Sequence, residues 1–288
     1  MEAEEFKALF EKKSSYENIP VPAGEMSPRE RFLAIMDFKK TDRIIDTEFG
    51  YWKDTLRRWH QEGLPEYVNS NDKADLFFGF DPWRKTLPSN VGIQPAFKTE
   101  TVVDDGEHKI IYNGSRVKCE IFSDGKDTIP HYLDFPIKDR ESYLPFKERL
   151  HTDLTRRIRI DLKKTAEEVR DRNYILQSHA GSTAGQIRNL MGFEGICMAL
   201  FEQPELLEEI LEDLGRVSAS VASEICRHLS VDLVSWWEDI AFKNGPIVTP
   251  QFFIEKCGPV MKKVMDIYRA AGTRHSYVDC DGDFRALI

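Results

Sequence analysis

In this chain acidic and basic groups collect where apolar runs stop, and such placement is what a reaction site needs. The segment "SYVDCDGDFRALI" (276–288) sets Asp279, Asp281 and Asp283 around Cys280 and Gly282. In "DLVSWWEDIA" (232–241), Glu238 and Asp239 follow Trp236 and Trp237 directly. In "YILQSHAGSTAGQIR" (174–188), His179 precedes a run of small residues and Arg188 follows one or two helical turns later. Two carboxylates held close together split their pKa values unless a cation joins them, which suits either acid–base work or metal binding. Residues i and i+2 of a strand share a face, so Asp279 and Asp281 are a candidate metal pair and Asp281 also a candidate catalytic group, with Cys280 on the opposite side. The competing reading makes Asp281-Gly282-Asp283 a plain strand-to-helix turn with Asp283 as its cap.

Glu238 and Asp239 are candidate catalytic acid–base groups, because the apolar residues before them argue against a solvated surface. Alternatively they are buried carboxylates paired to a structural arginine such as Arg188. His179 is a third catalytic candidate: the small residues after it let a ligand approach the backbone, and the next helix offers its N-terminus to an anion. A capped core histidine explains it equally well. Arg188 can grip a substrate carboxylate or merely brace the fold. Glu48, Tyr51 and Trp52 in "TEFGYWKD" and Asp81 in "FGFDPW" are expected to line the substrate pocket. The alternatives are a rim ion pair for Glu48 and an aromatic-packed turn around Asp81.

The elements that must position these groups follow from pattern. "SPRERFLAIMDFKK" predicts a helix from Pro28 to about Lys40, with Ser27 as N-cap and Glu30 three residues on. Residues 43–51, 174–180, 231–239 and 275–281 read as strands, expected to be parallel neighbours, with helices between them. Between about 91 and 132, "DDGE", "YNGS" and "SDGKD" mark turns of an antiparallel β insertion. Residues 137–171 read as charged and helical. Each apolar strand ends in a polar group at its carboxyl end, where parallel α/β folds bind their ligands.

The 288 residues carry a formal net charge of −9, which gives no footprint for nucleic acid. No apolar run of about 18 residues predicts a membrane span, and the charged start lacks a signal core, so a cytoplasmic location is expected. The five cysteines are scattered without CxxC pairs, as in a reduced protein.

The phrases "SPRERFLAIMDFKKTDRI", "EFGYW", "HAGSTAGQIRNLMGFE", "QPELLEEIL", "WWEDIAFKNGPIVTPQFF" and "VDCDGDFRALI" resemble, in order, the uroporphyrinogen decarboxylase superfamily, which includes cobalamin-dependent methyltransferases. The resemblance implies an α/β TIM (β/α)8-type barrel over 27–288 behind an N-terminal extension, 1–26. Eight strand-helix units need about 250 residues, and the insertion uses many of those present. The last barrel units are therefore expected to be missing from an incomplete copy of a longer protein. In the decarboxylases an arginine-rich loop grips the porphyrinogen; here that region reads "EFGYWKDTLRRW". In the methyltransferases a His-x-Cys-Gly phrase aligned with "DCDG" binds zinc; here Asp279 and Asp281 take those places. The implied function is corrinoid-linked methyl transfer on a small molecule, with zinc, another divalent metal or no metal at all. The alternatives are a decarboxylase (lyase) acting on a porphyrinogen or another carboxylated substrate, and a non-catalytic corrinoid or metabolite binder. The implied partners are a small-molecule substrate, a corrinoid protein and a second copy in a homodimer, with no nucleic acid and no membrane.

Overall fold

The computed structural model describes residues 21–81, 84–126 and 129–288. The chain packs as two compact units, one running to Thr86 with Ala166–Gln177 added, the other made of Leu87–Thr165 and Ser178–Ile288. Most of the expected N-terminal extension, and Trp83, lie outside the described residues.

In the first unit α1 (Pro28–Met36) starts with the expected capping box between Ser27 and Glu30. It ends four residues earlier than predicted because Phe38 turns left-handed, at φ 55°, which an α-helix does not tolerate. Helices α2 (Lys53–Gln61) and α3 (Asn71–Phe78) follow. They pack around Leu56, Val68 and Ala74, with Tyr51 and Trp59 against them.

Residues 43–51 are not a strand. Ile44 and Phe49 of this segment stand exposed, and its backbone is held by a side chain rather than a ladder, the Asp46 N–H donating to Asp81 at 2.9 Å. The strand that takes its place beside 175–177 is β1 (Arg84–Thr86), a stretch too short and charged to show apolar periodicity.

The second unit opens with the insertion. Strands β2 (Glu100–Asp104), β3 (His108–Tyr112), β4 (Lys118–Phe122) and β5 (His131–Asp134) form an antiparallel meander in chain order. Its turns are the ones the sequence marked: Gly106 and Gly125 adopt positive φ, and Asn113 Oδ1 accepts from the Ser115 and Val117 N–H groups.

The region 137–171 is broken into α4 (Arg140–Lys147), α5 (Leu154–Arg157) and α6 (Leu162–Glu168). The break has a clear cause. The Arg157 side chain, only 1% exposed, donates to the carbonyls of His151, Asn90, Gly92 and Arg149. One guanidinium thus satisfies a loop that no helix could.

Strand β6 (Ile175–Gly181), helices α7 (Ala184–Glu202) and α8 (Pro204–Cys226), and strand β7 (Leu233–Trp237) follow as predicted. A short hairpin, β8 (Ala241–Phe242) with β9 (Gly245–Pro246), comes next. A π-helical turn, Phe253–Cys257, leads into α9 (Gly258–Ala270), and β10 (His275–Asp279) is the last strand. The class is α/β: β1, β6, β7 and β10 form a four-stranded parallel sheet in that order. Among the described residues no helix is long and apolar enough to cross a membrane.

Replacing Arg157 by Met removes its donors while keeping the apolar stem; the Arg149 carbonyl keeps the Gln94 N–H, and those of His151, Asn90 and Gly92 each lose a part-buried bond. Stability is expected to fall by about 3 kcal/mol or more, read as a lower urea midpoint at unchanged slope.

Candidate functional site

The site is built on one face of the sheet in the second unit. Side chains alternate along β6, so Ser178 and His179 point opposite ways. Ser178 Oγ meets the Tyr268 hydroxyl of α9 at 2.7 Å, on the face that the helix covers. His179 turns to the other face, where its Nδ1 lies 3.2 Å from Ser235 Oγ of β7. In the β7–β10 register Ser235 is level with Tyr277, and Trp237 with Asp279. The face therefore carries a row of polar and aromatic groups up to the carboxyl ends. Burial pushes the His179 pKa below its ordinary value, against an opposing hydrogen bond from the ring to the Ser235 backbone. Its imidazole is neutral at pH 7.

Glu238, the residue after β7, is 1% exposed. Its Oε1 accepts from the Thr183 N–H at 2.7 Å and the Thr183 hydroxyl at 2.8 Å, and its Oε2 from the Gly185 N–H at 2.9 Å. These donors are the free N–H groups at the start of α7, and Thr183 makes no side-chain cap of its own. A carboxylate from a neighbouring element thus caps the helix, with the macrodipole favouring its charge. Burial nevertheless pushes its pKa up to about 7, with the Gly185 and Thr183 donors pulling against the shift. Its sequence-expected role at the reacting centre gives way, in this geometry, to fixing α7 against β7.

That packing also accounts for the small residues after His179. A β-carbon on Gly185 would overlap the Glu238 carbonyl. The run "AGSTAG" therefore lets helix and strand backbones approach one another, where the sequence suggested the approach of a ligand.

Asp239 and Arg188 do meet. Arg188 Nη2 donates to Asp239 Oδ2 at 2.5 Å and to the Asp239 carbonyl at 2.9 Å. Its guanidinium carbon stands 5.4 Å from the Trp237 ring centroid, a cation–π distance. Asp239 has φ 33°, a left-handed conformation that costs a non-glycine residue about 1 kcal/mol. Arg188 holds both ends of that strained residue. Both side chains keep partial solvent access, and Arg188 Nε has no acceptor among the described residues.

Asp279 is half-buried at the end of β10, and its carbonyl accepts from the Glu238 N–H at 2.9 Å. Asp281 lies beyond the strand, exposed, before Gly282 at φ 82°. Gly282 packs so tightly on Ala241 that a β-carbon would come 2.5 Å from that carbonyl oxygen. Asp283 accepts from the Arg285 N–H and pairs with its guanidinium at 2.7 Å. "DCDGD" is therefore a built turn. Among the described residues no three His, Cys, Asp or Glu side chains converge as a metal would require. The carboxylate pair alone does not fit zinc, which takes four ligands with nitrogen or sulfur among them.

The remaining candidates belong to the first unit. Asp81, 6% exposed, accepts from Arg43 at 2.6 and 2.8 Å and from Arg31 at 3.2 Å. Burial acts to raise its pKa, and these arginines with the Asp46 N–H outweigh it. Arg31, itself buried, also pairs with Asp42 at 2.7 Å. Asp81 thus anchors the 43–46 segment to α1. Tyr51 packs edge-on against Trp59 at 5.7 Å. Trp52 is exposed at the start of α2, and Glu48 Oε1 accepts from the N–H of Phe49.

Ser235, Trp237, Thr183 and Gly185 were not singled out from the sequence. The signal for Ser235 was present: a lone serine inside the apolar run "DLVSWW" must find a hydrogen-bond partner once buried. Comparison with protein-family models, curated proteins and solved structures gave no match to this chain.

Two outcomes follow from these environments. Asp81→Ala leaves Arg31 buried with an incomplete set of partners, so a loss of about 3–5 kcal/mol is expected, measured by chemical unfolding. Glu238 has a folded pKa of about 7 against an unfolded value of 4.5. The folded state therefore binds the extra proton between these values, and this contribution to stability is complete below pH 4.5 and lost as pH rises through 7. Urea midpoints across pH 4.5–8 are expected to show that downward slope in the wild type and a flatter profile in Glu238→Gln.

Proposed function

We propose that this chain is a small-molecule enzyme of the uroporphyrinogen decarboxylase type, its parallel strands belonging to a barrel, and that it transfers a methyl group between a corrinoid or small methylated substrate and an acceptor bearing an acidic X–H, such as a thiol. The observation that carries this reading is His179: a neutral imidazole, half-buried and hydrogen-bonded to Ser235, on the sheet face that leads to the strand carboxyl ends. A neutral imidazole in a partly desolvated setting is suited to take a proton at pH 7. The acceptor's X–H bond gives its proton to His179, the electron pair left on X attacks the methyl carbon, and the methyl–donor bond breaks with its pair going to the donor. Arg188, set between Asp239 and the Trp237 ring, binds an anionic end of the acceptor. Asp239 keeps that guanidinium in place, and Glu238 keeps α7 where Arg188 can reach. No step is routed through a metal, and the partner implied is a corrinoid-carrying protein.

A second reading, decarboxylation, is favoured by Arg188 Nε, a buried donor without an acceptor among the described residues. A substrate carboxylate would bind there. The C–CO2 bond would break with its electron pair left on carbon, and that carbon would take a proton from solvent.

The chain is expected to demethylate methylcobalamin in the presence of a small thiol, followed by absorbance. Loss of a general base typically costs 10²–10⁴-fold, so His179→Gln should slow turnover by at least about 100-fold with little change in melting temperature. Release of CO2 from carboxylated substrates without demethylation moves the assignment to a lyase. Cobalamin binding without turnover of either kind leaves a binder.

A further inference from the structure

Helix α7 is broken at Gly192, whose φ of 75° and ψ of 174° lie outside the helical region. The Phe135 ring fills the place a side chain there would take, 2.5 Å from where a β-carbon would stand. Beside the break, the Leu190 carbonyl accepts from the Ile137 N–H at 3.1 Å. The segment that leads out of β5 is thus fastened to α7. Past that point segment and helix part, and a cleft of about 490 Å³ opens between them, a size at which proteins hold small organic molecules.

The floor of the cleft is apolar, formed by Ile137, Met191 and Ala199, all nearly or fully buried. Its rim carries Phe193 and Met198, large apolar side chains that stand exposed. The charged groups that line it are all on the outside. Lys138 Nζ pairs with Asp134 at 2.7 Å, so these two charges cancel. Glu194 and Glu202 also line the cleft, and neither has a donor or a cation beside it among the described residues. They fall four residues to either side of Met198, on one face of α7. An apolar floor beneath two unmatched carboxylates favours a molecule with an apolar body and a positive end, and disfavours one whose end is negative.

We propose that this cleft binds small apolar amines as alkylammonium ions: the alkyl chain lies on Ile137, Met191 and Ala199, and the ammonium group donates to Glu194 or Glu202. None of His179, Arg188, Glu238 and Asp239 lines it, so the inference does not rest on the functional reading. Chain burial supplies the affinity, at up to about fourfold for each methylene covered. Charge supplies the choice between ions, because an exposed ion pair adds little on its own.

Calorimetric titration of the whole chain with butylamine, hexylamine and octylamine, all cations at pH 7, reads the first of these. Affinity is expected to rise with chain length. Octanoate, with an equally long chain and the opposite charge, should bind at least about tenfold more weakly than octylamine, since repulsion replaces attraction at both glutamates. Replacing both carboxylates, Glu194→Gln with Glu202→Gln, should weaken octylamine about fivefold and narrow its advantage over octanoate. Met198→Lys sets a cation on the rim and should abolish octylamine binding without weakening octanoate. All three substitutions fall on exposed positions, so the fold is expected to stay. In protein labelled with 13C at the methionine methyl groups, octylamine should shift the Met191 and Met198 signals, each assigned by its Leu variant. Absence of octylamine binding, equal affinity for octanoate, or an affinity unchanged in the paired Gln variant overturns the proposal. Binding that leaves the Met191 and Met198 signals in place overturns it as well.

Discussion

The contact on which the candidate site depends is the capping of one helix by a strand's last acidic residue. Glu238 occupies the N–H groups at the start of α7, and Gly185 brings the two backbones together because it has no β-carbon to keep them apart. Everything nearby follows from that distance. It sets Arg188, one turn along α7, level with Asp239. It also places the strained turn of Asp239 under both Arg188 bonds, so the cost of a left-handed aspartate is offset locally. A carboxylate this deeply buried resists ionising, yet a helix N-terminus favours its charge; the balance leaves it titrating near neutrality.

The acidic residues thus divide by what surrounds them. Asp81 is claimed by arginines and holds a loop. Glu238 is claimed by backbone donors and holds a helix. Asp283 is claimed by Arg285 within an exposed turn. Asp239 alone among these combines partial exposure, backbone strain and a guanidinium stacked on an aromatic ring, and strain that surrounding contacts enforce is characteristic of working sites. The imidazole on the adjacent strand completes the set, because it is neutral and its Nδ1 meets a serine hydroxyl rather than a charge. Proton transfer and anion recognition are the chemistry that such groups support.

Much of the scaffold was legible in the chain alone. Alternating strand and helix patterns gave the α/β class, the asparagine- and aspartate-glycine pairs gave the meander, and Ser27 with Glu30 gave the first capping box, because each signal is local and depends on few neighbours. The same locality explains the failures. Residues 43–51 have strand-forming side chains, but Asp81, distant in sequence, takes both backbone groups of Asp46 at the middle of the segment. The charged stretch 137–171 has helical periodicity, but Arg157 gathers carbonyls from two separate segments, 90–92 and 149–151, and stops any long helix.

At the site the sequence determined which residues sit at the strand ends, since a period of two and an apolar run are enough to find where a strand stops. It named His179, Arg188, Glu238 and Asp239 on that basis. Tertiary structure decided what each one faces. Whether Arg188 would find Glu238 or Asp239 depended on a close approach that only the absent side chain of Gly185 permits. Whether His179 would meet an acid, a metal or a hydroxyl depended on the register of β6 against β7. Roles of polar groups are set by partners far away in the chain, and local pattern carries no information about them.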